Sequence, residues 1–312
     1  MQKEDIKGEV LVTDSLFIYQ ENIEKLKAHG LKVVRLNKEA ASTEELAAAL
    51  KGKLGYILGG VEKVTKEVLD GAKDLKAIAV PGIGYQFFVP AHGYAKEKGV
   101  LISNAPEAPT SSTAEWCVMA ALAMNRGLFS IGRTGKLNFE VTRGLEDQRI
   151  GIVGMGRVGQ SVVDKIVPFR TGEVLFYNRS KKTVKGCRQA SIEDVFKNSD
   201  IIFVTVGDLA GPDFINSSHI GLMPRDSLIV NIARPFIINN EDIFRYLKAG
   251  KIRMVSDYDL KGEFNNLPYT TWYCNNGTNG SITVSETKRA SDMATESIIN
   301  LLEKGEDKNR VV

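Results

Sequence analysis

Ile150-Gly151-Ile152-Val153-Gly154-Met155-Gly156-Arg157-Val158-Gly159 is the stretch on which the reading of this chain turns. A short apolar run ends in G-x-G-x-x-G, and a helix-like segment from Gln160 to Val167 follows. Strand, glycine turn and helix form the context in which this spacing binds a dinucleotide. The first glycine makes the tight turn, the second lets a pyrophosphate approach the backbone, and the third lets helix pack on strand. The helix start then offers unpaired N–H groups and a positive dipole end to phosphates. Gly154, Met155, Gly156, Arg157, Val158 and Gly159 are therefore read as cofactor-binding. The plain alternative is a run of glycines in an ordinary turn.

Working outward, the chain has 312 residues, enough for roughly two domains. Hydrophobic residues make up 43% and charged residues 25%, a globular composition that supports full cores. A net charge of +3 is too mild for the concentrated basic stripe that nucleic acid selects, so no nucleic-acid partner is expected. Cys117, Cys187 and Cys274 are an odd, widely spaced set with neither disulfide nor zinc spacing; no metal is expected, and a reducing compartment fits. The charged start Met1-Gln2-Lys3-Glu4-Asp5 leads into no apolar signal segment, and no run of about 20 apolar residues is present. The expectation is a cytoplasmic protein with no membrane partner.

Short apolar runs alternate with helical stretches along the whole chain, the pattern of βαβ units and parallel sheets. Expected strands before the glycine turn are Glu9–Thr13, Lys32–Leu36, Tyr56–Leu58, Ala77–Val80 and Val100–Ser103. Expected helices there are Ile23–His29, Thr43–Leu50, Thr65–Ala72 and Pro90–Lys98, the second without a capping box when Thr43 is taken as its start. A loop from Asn104 to Ser112 precedes an apolar helix, Thr113 to Leu128, and the polar segment Lys136 to Gln148 leads into the glycine-turn strand. Beyond it, Glu173–Tyr177, Ile201–Val206, Ser227–Ile232 and Met254–Ser256 read as strands. Ser191–Lys197, Ser218–Leu222, Asn240–Lys248 and a long tail, Ser285 to Glu303, read as helices.

Three further segments converge with the glycine turn. Asn231-Ile232-Ala233-Arg234-Pro235 ends a strand, Gly82-Ile83-Gly84-Tyr85 follows one, and Asn104-Ala105-Pro106 with Thr110, Ala114 and Glu115 opens the apolar helix. With Glu263 at a fitting distance after Arg234, the chain resembles the D-isomer-specific 2-hydroxyacid dehydrogenases from about Gly55 to Glu303. The resemblance implies an α/β fold of two doubly wound parallel-sheet domains. A Rossmann nucleotide domain (104–283) would be inserted in a flavodoxin-like substrate domain (1–103 and 284–312). It implies hydride transfer between a nicotinamide cofactor and a small 2-oxo or 2-hydroxy acid of the glyoxylate or hydroxypyruvate type. The cofactor carries the hydride and the protein supplies position and charge. Arg234, whose planar fork suits a carboxylate and carbonyl, would bind and polarise the substrate. The N–H groups around Ile83 and Gly84 would help hold its carboxylate. The resemblance also assigns Val206, Gly207, Ala233 and, after a one-residue shift, Asp257 to the cofactor, and implies a homodimer, for which the Thr113–Leu128 helix is one candidate surface and core the other reading.

One departure bears on the chemistry. Relatives that reduce 2-oxo acids use a histidine held by the glutamate to donate the proton. Here the histidines are His29, His92 and His219, and none lies downstream of Glu263. The histidine position falls on Asn275 or its neighbour Asn276. Asparagine can hydrogen-bond a carbonyl but has no titrating proton near neutral pH. Glu263 with Asn275 is read as the replacement pair. Tyr269, Tyr273, Cys274 or water are alternative proton sources, and the competing reading is a nucleotide-binding protein with little or no catalysis. Pro235 also stands where the family usually has glycine, which fixes φ and removes an N–H.

Cofactor choice is read from the second strand of the nucleotide domain. It ends Phe176-Tyr177-Asn178 and runs into Arg179-Ser180-Lys181-Lys182, with no acid to receive a ribose hydroxyl and repel a 2′-phosphate. Arg179 can grip a phosphate bidentately, and Asn178, Ser180, Lys181 and Lys182 add polar contacts. NADP is therefore expected as the preferred cofactor, with NAD possible. A solvated basic turn without discrimination is the bland alternative.

Overall fold

A computed structural model describes residues 7–13, 18–38, 40–135, 141–146, 148–275 and 280–312. The chain divides into two compact units, Met1–Pro109 with Thr283–Val312, and Thr110–Ile282.

In the first unit, parallel strands β1 (Gly8–Thr13), β2 (Leu31–Leu36), β3 (Gly55–Ile57), β4 (Ala77–Val80) and β5 (Leu101–Asn104) lie in the order β2-β1-β3-β4-β5. This is the flavodoxin-like doubly wound order. Buried β4 reads as a continuous apolar run, as expected for a strand covered on both faces. On one face Leu11, Tyr56 and Ile78 pack against Leu46, Val68 and Ala95. On the other, Val10, Val12, Ile57 and Ala79 pack against Ala294, Ile298, Ile299 and Leu301 of the helix Val284–Lys304, so the C-terminal tail completes this unit. The helix over residues 43–49 does carry a capping box, one residue earlier than the sequence reading sought it. Ser42 accepts from the Glu45 N–H, and the Glu45 carboxylate accepts from the Ser42 N–H.

In the second unit, strands β6 (Ile150–Val153), β7 (Val174–Tyr177), β8 (Cys187–Gln189), β9 (Ile201–Val204), β10 (Ser227–Asn231), β11 (Ile252–Ser256) and β12 (Trp272–Cys274) form one parallel sheet in the order β12-β11-β10-β9-β6-β7-β8. Counted from β6, this is the Rossmann order with one added edge strand. β8 and β12 were not foreseen: each is three residues long, at a sheet edge, too short to show a period. The apolar helix also differs from expectation. It runs Thr110–Asn125, because Gly127 at φ +67° ends it and a separate helix, Leu128–Thr134, follows. Most of the first helix is buried, with Ala114, Cys117, Ala121 and Met124 in the core against Val162, Val163 and Ile166. It is principally core. Among the described residues, no helix is long and apolar enough to cross a membrane.

Candidate functional site

The glycine turn joins β6 to the helix Arg157–Ile166, and each of its glycines meets different surroundings. Gly154 has φ +104°, and a Cβ there would lie 2.8 Å from the Val206 N, so both conformation and packing demand glycine. At Gly159 a Cβ would lie 2.4 Å from the Gly154 carbonyl oxygen, so helix and turn approach too closely for any side chain. At Gly156 a Cβ would meet nothing within 4 Å. Packing therefore does not explain the second glycine, whereas close approach by a ligand would. The helix starts on Gly156 with no side-chain cap, which leaves first-turn N–H groups open to an anion. A pyrophosphate fits these residues.

Thr205 and Val206, expected in the strand, instead leave β9 and wrap the turn. The Thr205 hydroxyl donates to the Gly154 carbonyl at 2.6 Å, and its N–H to the Val153 carbonyl at 2.9 Å. Val206 is half-buried against Gly154, and Gly207 is exposed. The Met155 side chain is fully buried in the core, so only its backbone faces the turn; Arg157 is exposed and Val158 half-buried.

After β7 the polar turn is tightly bonded. The Asn178 amide donates to the Ser180 carbonyl at 2.9 Å and to its hydroxyl at 3.0 Å. Gln189 on β8 donates to the Asn178 and Ser180 carbonyls and accepts from the Lys182 N–H. Arg179 and Lys181 are exposed and make no hydrogen bond or ion pair among the described residues. Lys182, rather than Lys181, reaches the glycine turn: its ammonium donates to the Met155 carbonyl at 2.8 Å. Neither this link nor the Gln189 contacts had a signal in the sequence, because they connect separate segments.

At the end of β10, fully buried Asn231 accepts from the Ala233 N–H at 3.0 Å. This local turn swings the chain so that Arg234 emerges in extended conformation, and Pro235 then opens a 3-10 turn for which its fixed φ is suited. Arg234 is half-buried, and its guanidinium donates to the Tyr258 hydroxyl at 2.8 Å. Buried Asp257 follows β11. It accepts from the Asn275 amide and from the Gly280 N–H, and burial raises its pKa to about 6. The same burial, with Asp257 nearby, pushes the Cys117 thiol far up, which marks it as an inert core residue.

Asn275 is thus bonded to Asp257, not to Glu263. Glu263 stands exposed on the 3-10 turn Gly262–Asn266 and makes no hydrogen bond or ion pair among the described residues. Asn276 lies outside the described residues. Of the alternative proton sources, the Tyr269 hydroxyl receives a hydrogen bond from Arg133 at 2.8 Å, and Tyr273 stacks on Phe129. The three histidines have structural contacts: His29 pairs with Glu303, the His92 Nδ1 lies 3.1 Å from the Val89 carbonyl, and His219 accepts from the Asn216 N–H.

In the first unit, the loop after β4 holds the Ile83 carbonyl through the Asn104 amide at 2.9 Å. The N–H groups of Ile83 and Gly84 donate no hydrogen bond among the described residues, and Ile83 is 47% exposed. Adjacent N–H groups without an acceptor on a turn are a chemical fit for an anion.

Parallel doubly wound units, one with a fitted glycine turn, define a dinucleotide-binding α/β protein. Residues 118–259 match the family described as D-isomer specific 2-hydroxyacid dehydrogenase, NAD binding domain. Glyoxylate reductase of Thermococcus kodakarensis is 27% identical over 75% of this chain and 75% of its own length. D-3-phosphoglycerate dehydrogenase of Methanocaldococcus jannaschii is 30% identical over 78% of this chain, which spans only 47% of that relative. The crystal structure of NAD+-bound 3-phosphoglycerate dehydrogenase from Entamoeba histolytica superposes with a TM-score of 0.86 at 21% identity, over 98% of this chain and 99% of the other, and so shares the fold.

Proposed function

We propose that this chain reduces a small 2-oxo acid of the glyoxylate or hydroxypyruvate type and prefers NADPH as its reductant. The observation that carries the reading is Arg234. A half-buried guanidinium on the turn after β10, steered there by Asn231 and held by Tyr258, stands at the carboxyl end of the sheet, the edge where ligands bind in such folds. A relative named glyoxylate reductase supports the substrate class.

In this reading the nicotinamide supplies the hydride. The glycine turn and the first helical N–H groups hold the diphosphate, and Val206, Gly207, Ala233 and Asp257 border the rest of the cofactor. Arg234 binds and polarises the substrate. The open N–H groups of Ile83 and Gly84 in the first unit are proposed, on their own geometry, as receivers of a carboxylate. Asn275, oriented by Asp257, stands for the family histidine as a hydrogen-bond donor, and water delivers the proton. Glu263 remains a candidate only as a carboxylate acting apart from Asn275. NADPH preference rests on the turn after β7, which has no acid and presents Arg179 without a hydrogen-bond or ion-pair partner among the described residues. The chain is proposed to form a homodimer in the reducing cytoplasm; light scattering on an eluting peak reads that state.

The test is a panel of 2-oxo acids with NADPH and with NADH, followed by loss of reduced-nicotinamide absorbance. Turnover with NADPH well above NADH is expected. No turnover with any acid, together with tight NADPH binding, establishes the competing reading, a binding protein. That reading is favoured by Asn275 lying where a proton donor is needed, since loss of a general acid costs about 10²- to 10⁴-fold in rate.

A further inference from the structure

Gln189 lies outside every motif of the sequence, yet it bonds to both ends of the turn after β7. It stands opposite Phe176 in the β7–β8 ladder. Its amide donates to the Asn178 carbonyl at 3.0 Å and to the Ser180 carbonyl at 3.1 Å, and its oxygen accepts from the Lys182 N–H at 2.9 Å. Asn178 closes the same turn from inside, through the Ser180 carbonyl and hydroxyl. The neighbouring Arg188, on the opposite face of β8, pairs instead with Glu173 at 2.7 Å, so the strand's alternation directs Gln189 alone to the turn.

Two consequences follow from this bonding. The backbone of residues 178–182 is ordered before any ligand arrives, so its ordering is not a cost of binding. The Lys182 backbone is also anchored at the point from which its ammonium spans to the Met155 carbonyl, 2.8 Å away. An ammonium has three donors, so Lys182 can keep that bond and still donate to an anion. Arg179, exposed and unpartnered among the described residues, leaves the same five-residue turn. Gln189 carries no charge, so it holds this pair of cations without the repulsion that a carboxylate there would set against a phosphate.

We propose that Gln189 is a positioning residue for cofactor discrimination: by bonding Asn178, Ser180 and Lys182 it holds the turn in the one shape that presents Arg179 and Lys182 together to a phosphate on the adenosine ribose. The proposal rests on the NADPH reading above.

The test uses the full-length chain and two probes that differ only in the phosphate at issue, adenosine 2′,5′-bisphosphate and adenosine 5′-monophosphate, titrated calorimetrically. The wild-type chain binds the bisphosphate tighter. Gln189→Met keeps the side-chain length and removes all three hydrogen bonds; it is expected to weaken the bisphosphate about tenfold and to change the monophosphate less than about twofold. Lys182→Met, which leaves the turn intact, is expected to act in the same direction, and it carries the test if Gln189→Met fails to fold. Gln189→Asn, too short to span the turn, is expected not to rescue. Equal weakening of both probes, or no change in either, overturns the proposal while a tighter wild-type bisphosphate complex leaves the NADPH reading standing. A wild-type chain that does not distinguish the probes overturns both.

Discussion

Arg234 and Asp257 occupy neighbouring strand ends in the second unit and differ in what their environments do to them. Arg234 carries a planar guanidinium fork, one N–H of which donates to the Tyr258 hydroxyl. Arg234→Lys retains charge but loses the bidentate geometry. It is expected to lower kcat/KM for 2-oxo acids by about 10²-fold, roughly 2.7 kcal/mol of transition-state stabilisation, with NADPH affinity nearly unchanged. Steady-state kinetics beside cofactor titration separates the two, and an unchanged kcat/KM removes Arg234 from the site. Asp257 has a folded-state pKa raised from 3.8 to about 6 by burial. Below the unfolded value both states are protonated and the shift has no effect on stability. As pH rises from about 4 to about 6, the unfolded chain ionises first and the folded state loses up to roughly 3 kcal/mol. Asp257→Asn can still accept from Asn275 and Gly280, so its melting temperature is expected to lack that decline. Parallel pH profiles of the two chains would refute the assignment.

At the scale of the element, the glycine turn separates structure from binding. Gly159→Ala drives a Cβ against the Gly154 carbonyl and is expected to destabilise the unit by roughly 1–3 kcal/mol. Gly156→Ala meets open space and has ordinary backbone dihedrals, so stability is expected to stay within roughly 0.5 kcal/mol. Its methyl would nonetheless occupy the approach of a diphosphate, and NADPH binding should fall. Urea melts and cofactor titration on both variants check the contrast; full NADPH affinity in Gly156→Ala would remove the turn from the cofactor site. The turn itself was legible in the sequence, because strand, glycines and helix are contiguous there. Lys182 reaching Met155 was not, since the two residues are distant in the chain and meet only once β7 lies beside β6.

For the whole molecule, sequence alternation and connectivity agree with two parallel sheets in which most crossovers lead to a neighbouring strand, while β2 to β3 and β8 to β9 cross back over the earlier strands. A ligand that binds only the folded nucleotide unit stabilises it by mass action, by about 2.7 kcal/mol at a hundredfold excess over its Kd. NADPH is therefore expected to raise the melting temperature of the full chain more than NADH at equal concentration. Equal shifts count against the proposed preference. Most strand and helix positions could be read from apolar runs and glycine stops, and Ala77–Val80 and Asn240–Lys248 coincide with the residues anticipated. The edge strands β8 and β12 could not, for each draws its order from a partner strand rather than from its own pattern.

Local chemistry, written in consecutive residues, determined the βαβ alternation, the glycine turn, the position of Arg234 and the absence of an acid after β7. Folding alone decided that Asn275 answers to Asp257 and not to Glu263, that Gln189 braces the turn after β7, and that Lys182 reaches from it to Met155. Hydrogen bonds between side chains far apart in the chain leave no periodicity behind; they exist only where packing brings donor and acceptor within reach.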